Sequence, residues 1–207
     1  AVQQKYPEII IIGTVGPFFE GTDYREGWRI ADDLKLPLVD EHYYQSPGWF
    51  INNHDFYDSY DRSKSKVYLG EYASWGNKFY NALAEALYLT GVERNGDVVS
   101  MASYAPLLAR EKHTQWNPDL IYFNGNEVKP TVNYYVQQLF STNKGTDLLN
   151  ITQDGKALIG QNIEGFSFND FPAGEISTKN LRTAIDFLRA CLIKFLRLSK
   201  SPSLSSI

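Results

Sequence analysis

The stretch Lys66-Val67-Tyr68-Leu69 is a short apolar run that ends at Gly70-Glu71-Tyr72. A run of this kind, without alternation of apolar and polar residues, is typical of a strand buried on both faces of a parallel sheet. Three further runs share the pattern and follow one another at intervals of about 30 residues: Glu8–Ile12, Leu36–Val39 and Asp97–Met101. The spacing predicts four parallel strands, each connected to the next by a crossover segment.

The segments between these runs have helical character. They are Tyr24–Leu34, Trp49–Tyr60 and Asn77–Leu89. A repeated strand-plus-helix unit is typical of right-handed parallel α/β architecture. A partial strand at 120–123 and a helix at 131–140 are predicted to follow the fourth unit.

Four such units could form an open doubly wound sheet or half of an eight-stranded barrel. Polar and aromatic residues follow three of the predicted strands, at 40–44, 70–72 and 103–106. Barrel enzymes build their sites at the carboxyl ends of strands. The chain has no Gly-x-Gly-x-x-Gly motif, which weakens a nucleotide-binding open sheet. The sequence therefore predicts half of a (β/α)8 TIM barrel.

Composition excludes several classes of protein. The 207 residues carry a formal charge of −4, and without a dominant basic block nucleic acid is not expected as a partner. No apolar run approaches the roughly 20 residues of a membrane-spanning helix, so no membrane partner is expected. The single cysteine, Cys191, cannot form an internal disulfide. The three histidines fall in unrelated segments, and we predict neither a metal nor a cofactor.

Glu71 is the strongest candidate for chemistry. A carboxylate at the mouth of a strand can act as a nucleophile or as an acid/base, or it can pair with an arginine at the rim. In the extended stretch Asp40–Tyr44, Asp40, His42 and Tyr44 share one face, whereas Glu41 and Tyr43 share the other. We expect His42 and a tyrosine to hydrogen-bond a polar ligand or to orient Glu71.

Trp116, in the long loop after the fourth strand, either packs the loop or stacks against a sugar ring.

Seven blocks of the sequence resemble one known family. They are Tyr6–Ile9, Val39–Tyr44, Gly70–Ala73, Gly91–Asn95, Asp97–Val99 with Ala102–Pro106, Gln115-Trp116 with Pro118–Phe123, and Asn133–Phe140. In this order and spacing they resemble the α-L-arabinofuranosidases of glycoside hydrolase family 51. The resemblance runs from about Tyr6 to Gly145, weakens through Phe171 and is not visible after Ser177.

The resemblance implies a (β/α)8 barrel followed by a β-sandwich. Residues 1–145 would be the second half of the barrel, strands five to eight, and residues 146–177 the start of the β-sandwich. It also implies a retaining hydrolase that releases terminal non-reducing α-L-arabinofuranosyl residues from arabinoxylan, arabinan or arabino-oligosaccharides. A homo-oligomer of the full-length enzyme is compatible with it.

The resemblance assigns roles residue by residue. Glu71 matches the nucleophile at the end of the seventh strand. The residues expected to bind the substrate are His42, Tyr43, Tyr44, Trp116 and Asn133, and we favour Tyr44 as the hydrogen-bond partner of Glu71.

The family's acid/base is a Glu preceded by Asn at the end of the fourth strand, and no strand-end Asn-Glu occurs here. Asn126-Glu127 falls in a loop. We therefore expect a fragment that holds the nucleophile, lacks the acid and is inactive alone. Two open strand edges predict aggregation or dimerisation. Residues 178–207 are predicted to be an atypical tail, from a reading-frame slip or as a terminal amphipathic helix.

Two alternatives remain. The chain could belong to another retaining barrel glycosidase, such as a β-xylosidase or an endoglucanase, although the block at 40–44 speaks against this. It could also be a non-catalytic carbohydrate-binding protein that uses Trp116, Tyr43 and Trp75 as stacking surfaces.

Overall fold

A computed structural model of the chain describes residues 2–143, residue 145 and the backbone of 152–153 and 156–157. The chain divides into two compact units, residues 1–142 and residues 143–207. The predicted β-sandwich segment, apart from those backbone positions, and the predicted tail lie outside the described residues.

The first unit is built on four parallel strands that pair side by side in chain order. The strands are β1 (Ile12–Thr14), β2 (Leu38–Gln45), β3 (Lys66–Ser74) and β4 (Val99–Tyr104). The helices around them are α1 (Val2–Lys5), α2 (Thr22–Leu34), α3 (Pro47–Asn52) and α4 (Phe79–Arg94). The predicted α/β class with a parallel sheet is confirmed.

The first strand and the second crossover differ from the prediction. Of the apolar run at 8–12, only Ile12 belongs to the strand: Ile9 and Ile10 are exposed, and β1 begins at Ile12. The helix predicted at 49–60 stops at Asn52. Beyond it the chain continues in turns. The Arg62 guanidinium stabilises these turns by donating hydrogen bonds to three of their backbone carbonyls.

Local sequence explains where α2 and α3 begin and end. Ser46 caps α3, because its Oγ accepts the Trp49 N–H, and Pro47 occupies the first helical position. The α2 helix ends where Lys35 adopts a left-handed conformation with φ of 51°. There the Leu36 N–H closes on the Ala31 carbonyl at 2.9 Å, a common way to satisfy the last carbonyls of a helix.

A second, smaller sheet follows β4. It contains β5 (Leu108–Arg110), β6 (Ile121–Phe123) and β7 (Val128–Pro130), and it is followed by α5 (Val132–Thr142). The predicted strand at 120–123 therefore exists, but it pairs with β5 and β7 rather than with the parallel sheet. In the second unit, β8 (Thr152–Gln153) and β9 (Lys156–Ala157) pair antiparallel.

The two faces of the parallel sheet differ in burial. On β2, alternate residues Val39, Glu41 and Tyr43 are buried, whereas Asp40, His42 and Tyr44 between them are half-buried. The prediction of burial on both faces is thus wrong for one face of β2. Among the described residues, no helix is long and apolar enough to cross a membrane.

Candidate active site

Glu71 lies in β3 on the half-buried face of the sheet, with 42% of its side chain exposed. The Tyr44 hydroxyl donates to Glu71 Oε2 at 2.8 Å. The His42 Nδ1 atom lies 3.4 Å from the same oxygen. The structure therefore brings together three of the residues that the sequence predicts, all on adjacent strands.

A change of register between β2 and β3 places His42 beside Glu71. Glu41 pairs with Leu69, but the next residue, His42, pairs with Glu71, so Gly70 is passed over. A side chain at Gly70 would overlap the Asp40 carboxylate. Gly70 therefore leaves the room that Asp40 needs on this face, and the irregularity sets His42 directly beside the candidate nucleophile.

Tyr44 is held as a hydrogen-bond donor. Partial burial, the hydrogen bond to Glu71 and the negative charge of that carboxylate raise the pKa of Tyr44 well above its ordinary value. The phenol therefore keeps its proton at any physiological pH. It fixes Glu71 Oε2, while no hydrogen bond to Glu71 Oε1 is found in the part of the chain that the structure describes.

Trp116 lies next to Tyr44. The two rings meet edge to face, with centroids 5.0 Å apart and an interplanar angle of 69°. Trp116 remains 45% exposed. Thr114 supports the loop, because its Oγ1 accepts the Trp116 backbone N–H and donates to the Asp119 carboxylate. An exposed indole face therefore borders the site.

Two predicted binding residues lie elsewhere. Tyr43 is fully buried on the opposite face of β2 and donates its hydroxyl to Glu41. Asn133 is also fully buried, and its Oδ1 accepts a hydrogen bond from Asn77 at 3.2 Å. The prediction that they contact substrate is corrected, because neither side chain reaches a surface that a ligand could touch.

The buried face of β2 carries a second carboxylate, Glu41, which the sequence analysis did not single out. It accepts hydrogen bonds from Tyr43 on its own strand and from side chains of α2 and of the turns after α3: Tyr24, Trp28, Tyr57 and Tyr60. Burial raises the pKa of Glu41, although the tyrosine hydrogen bonds act to lower it. Its surroundings leave no access for a substrate.

Asp40 is the residue that sequence reasoning placed on the right face without giving it a role. Its Oδ2 lies 2.9 Å from His42 Nε2. Glu127, by contrast, lies in the turn between β6 and β7, where Lys129 pairs with it at 3.3 Å. No group of three residues suited to holding a metal occurs among the described residues.

A sequence model of the C-terminal domain of α-L-arabinofuranosidases matches residues 70–192. The chain belongs to this family, the α-L-arabinofuranosidases of glycoside hydrolase family 51. The match begins at Gly70 and extends beyond Ser177, where the resemblance was expected to have ended.

Named relatives agree with this membership. An extracellular exo-α-L-arabinofuranosidase of Streptomyces chartreusis is 50% identical over 145 residues, which make up 70% of this chain and 18% of the relative. A probable α-L-arabinofuranosidase A of Aspergillus oryzae is 42% identical over 163 residues, 74% of this chain and 24% of the relative. The chain thus spans about a fifth to a quarter of the relatives' length.

Solved structures give the same result. An arabinose-bound α-L-arabinofuranosidase, MgGH51, superposes with a TM-score of 0.62 at 31% identity, over 74% of this chain and 26% of that chain. The arabinose complex of the Thermotoga maritima enzyme, at 13% identity and a TM-score of 0.53, shares the fold.

Proposed function

We propose that the chain supplies the nucleophile and part of the sugar pocket of a retaining α-L-arabinofuranosidase. The observation that carries this proposal is the environment of Glu71: a half-exposed carboxylate near the carboxyl end of a parallel strand, three residues before β3 ends, with one oxygen fixed by Tyr44. A nucleophile needs this combination of fixed orientation and access.

The four parallel strands would be strands five to eight of a (β/α)8 barrel. The exposed isoleucines at and before β1 (Ile9, Ile10, Ile12) support this, because such side chains beside an unpaired strand edge suit a neighbouring strand and its helix. The half-buried face with Asp40, His42, Tyr44 and Glu71 would then line the barrel's mouth. Residues 146–177 would begin the β-sandwich.

In this reaction Glu71 attacks the anomeric carbon of an arabinofuranosyl residue and forms a glycosyl-enzyme ester, while the bond to the leaving oxygen breaks and that oxygen takes a proton from a second, protonated carboxyl group. Water then displaces Glu71 from the anomeric carbon with a second inversion, so the overall configuration is retained. Tyr44 holds Oε2, which leaves Oε1 to form the bond. Trp116 offers an apolar face to the sugar.

The acid/base carboxylate would come from outside these residues. Glu127 does not suit the role, since it lies in the small sheet and pairs with Lys129. Loss of a general acid typically lowers the rate by about 10²- to 10⁴-fold. We therefore predict that the 207-residue chain alone does not hydrolyse arabinofuranosides with poor leaving groups, such as arabinoxylan, arabinan or arabino-oligosaccharides.

A segment exchange tests the proposal. Residues 6–142 replace the matching segment of the Streptomyces chartreusis relative, and the chimera is assayed on p-nitrophenyl α-L-arabinofuranoside. We expect hydrolysis with retention of configuration, reduced about 10³- to 10⁶-fold by Glu71→Gln and unchanged by the matched control Glu127→Gln. An active Glu71→Gln chimera would refute the role of Glu71.

The same chimera separates the alternatives. Faster turnover of a β-xyloside or a β-glucoside than of the arabinofuranoside would indicate another retaining glycosidase. The non-catalytic alternative loses one of its three stacking residues, because Tyr43 is buried. Binding of arabino-oligosaccharides by a folded chimera without hydrolysis would favour it nonetheless.

A further inference from the structure

The His42 ring is flanked by two carboxylates. Its Nε2 lies 2.9 Å from Asp40 Oδ2, and its Nδ1 lies 3.4 Å from Glu71 Oε2. The two ring nitrogens of an imidazole are coupled, because a hydrogen bond at one nitrogen sets the orientation of the ring and the role of the other nitrogen. The partner of His42 Nε2 therefore influences how Nδ1 faces Glu71.

The position of the Asp40 carboxylate is energetically unfavourable for one of its oxygens. Its Oδ1 is buried and has no hydrogen-bond partner among the described residues. A buried acceptor without a partner destabilises a fold and marks a position that calls for an explanation. The neighbouring strand makes room for this carboxylate, because any side chain at Gly70 would overlap Asp40 Oδ1.

These contacts form one connected arrangement across β2 and β3. The register shift passes over Gly70, Asp40 fills the space beside it, and the following residue on the same face, His42, meets Glu71. Among the described residues, no hydrogen bond or ion pair joins Asp40 directly to Glu71. Any influence of Asp40 on the nucleophile runs through the imidazole.

We propose that Asp40 is a positioning residue: as the partner of His42 Nε2 it fixes the orientation of the imidazole ring, and so the position of Nδ1 beside Glu71 Oε2. In the absence of the Asp40 carboxylate, the His42 ring is free to rotate, and Nδ1 no longer has a fixed position beside Glu71 Oε2. On the neighbouring strand, Gly70 leaves the space that the Asp40 carboxylate occupies. The inference rests on the proposed role of Glu71.

The first test reads the ring directly and needs no activity. The full chain contains three histidines, so ¹⁵N-histidine labelling gives few long-range ¹H–¹⁵N ring signals, and the His42 signals are those lost in His42→Gln. We expect Asp40→Asn to shift both His42 ring nitrogens, with the other two histidines and the melting temperature unchanged. The matched control Asp33→Asn, which removes one exposed carboxylate on α2, should shift none. Unchanged His42 signals in Asp40→Asn would overturn the proposal.

The second test uses the active chimera. We expect Asp40→Asn to lower kcat/KM about 10- to 100-fold, as the loss of a supporting hydrogen bond to a reacting group commonly does. Gly70→Ala should cause a similar loss, and adding it to Asp40→Ala should cause little further loss, because it acts by displacing Asp40. Strictly additive losses would contradict the coupling of Gly70 to Asp40.

The two proposals can fail separately. If Glu71→Gln remains active, the proposed function fails, while the ring signals still report whether Asp40 directs His42. If Glu71→Gln is inactive but Asp40→Asn is as active as the parent, the role of Asp40 fails alone.

Discussion

Glu41 and Glu71 are two carboxylates on neighbouring strands with opposite surroundings. Glu41 is fully buried and accepts hydrogen bonds from four tyrosines and a tryptophan. Glu71 is partly exposed, with Tyr44 as its hydrogen-bond donor. A carboxylate whose lone pairs are all occupied stabilises the fold, whereas one with a free oxygen and access to solvent can react. The number and accessibility of partners thus separate a structural acid from a candidate nucleophile.

The largest expected effect separates these two residues by stability. Glu41→Ala removes the carboxylate that accepts from five donors, of which Tyr43 and Tyr57 are fully buried, and we expect it to lower the free energy of unfolding by about 4 kcal/mol or more. Glu71→Ala should lower it by less than about 1 kcal/mol. Urea unfolding of both variants measures the difference, with Glu41→Gln, which keeps one oxygen, expected between them. Equal losses for Glu41→Ala and Glu71→Ala would break the comparison.

A third carboxylate, Glu85, extends the comparison to pH. It is buried on α4, Ser74 donates to it twice, and burial raises its pKa to about 7. The folded state therefore holds a proton that the unfolded state releases near pH 4.5. Stability from this group is present below pH 4.5 and is lost as the pH rises to about 7, by about 3 kcal/mol in total.

Urea unfolding between pH 4.5 and 8 checks this prediction. Glu85→Gln carries no titrating proton and can keep its Oε1 facing Ser74, so its stability should not fall over this range as the parent's does. The same slope in Glu85→Gln and in the parent would assign the pH dependence to another group.

Arg62 should matter on the Glu41 side alone. Its guanidinium donates to the carbonyls of Tyr57, Asp58 and Tyr60, and so holds the segment that carries two of the donors to Glu41. We expect Arg62→Ala to lower the free energy of unfolding by about 2 kcal/mol. Hydrogen exchange should speed up at 57–60 in this variant while the surroundings of Glu71 keep their protection. Equal acceleration in both regions would mean that the two faces of β2 are not independent.

Trp116 should give the smallest effect, confined to the Glu71 side. Its ring is partly exposed and packs edge to face on Tyr44. In the chimera, Trp116→Ala should raise KM about 3- to 10-fold with little change in kcat. Trp116→Phe retains a ring and should recover part of the loss. A fall in kcat without a change in KM would indicate that Trp116 acts through Tyr44 on the nucleophile.

Parts of the fold and of the site could be read from the sequence because they depend on local pattern. The alternation in Asp40–Tyr44 correctly separates His42 and Tyr44 from Tyr43, as successive residues of any strand point to opposite faces. The choice of Tyr44 rather than Tyr43 as the partner of Glu71 agrees with the hydrogen bond in the structure. The same alternation places Tyr43 on the face opposite Tyr44, where the structure has it buried against Glu41.

Other features depended on contacts that no local pattern encodes. The apolar run at 8–12 has the composition of a strand, yet β1 begins at its last residue, because pairing with Leu38 begins at Ile12. Asn133 looks like a polar site residue and is instead buried against Asn77. Four of the five donors to Glu41 lie 13 to 19 positions away in the sequence, and only packing brings them together.

By itself, the sequence determined the alternating strand-and-helix order, the two faces of β2 and the family, since periodicity and motif spacing are properties of the chain. Only the tertiary structure decided which carboxylate is enclosed and which is accessible. It also decided that Asp40 sits over Gly70 and that His42 lies between two acids. The physical reason is that burial, register and hydrogen-bond partners arise between strands, where residues distant in the sequence meet.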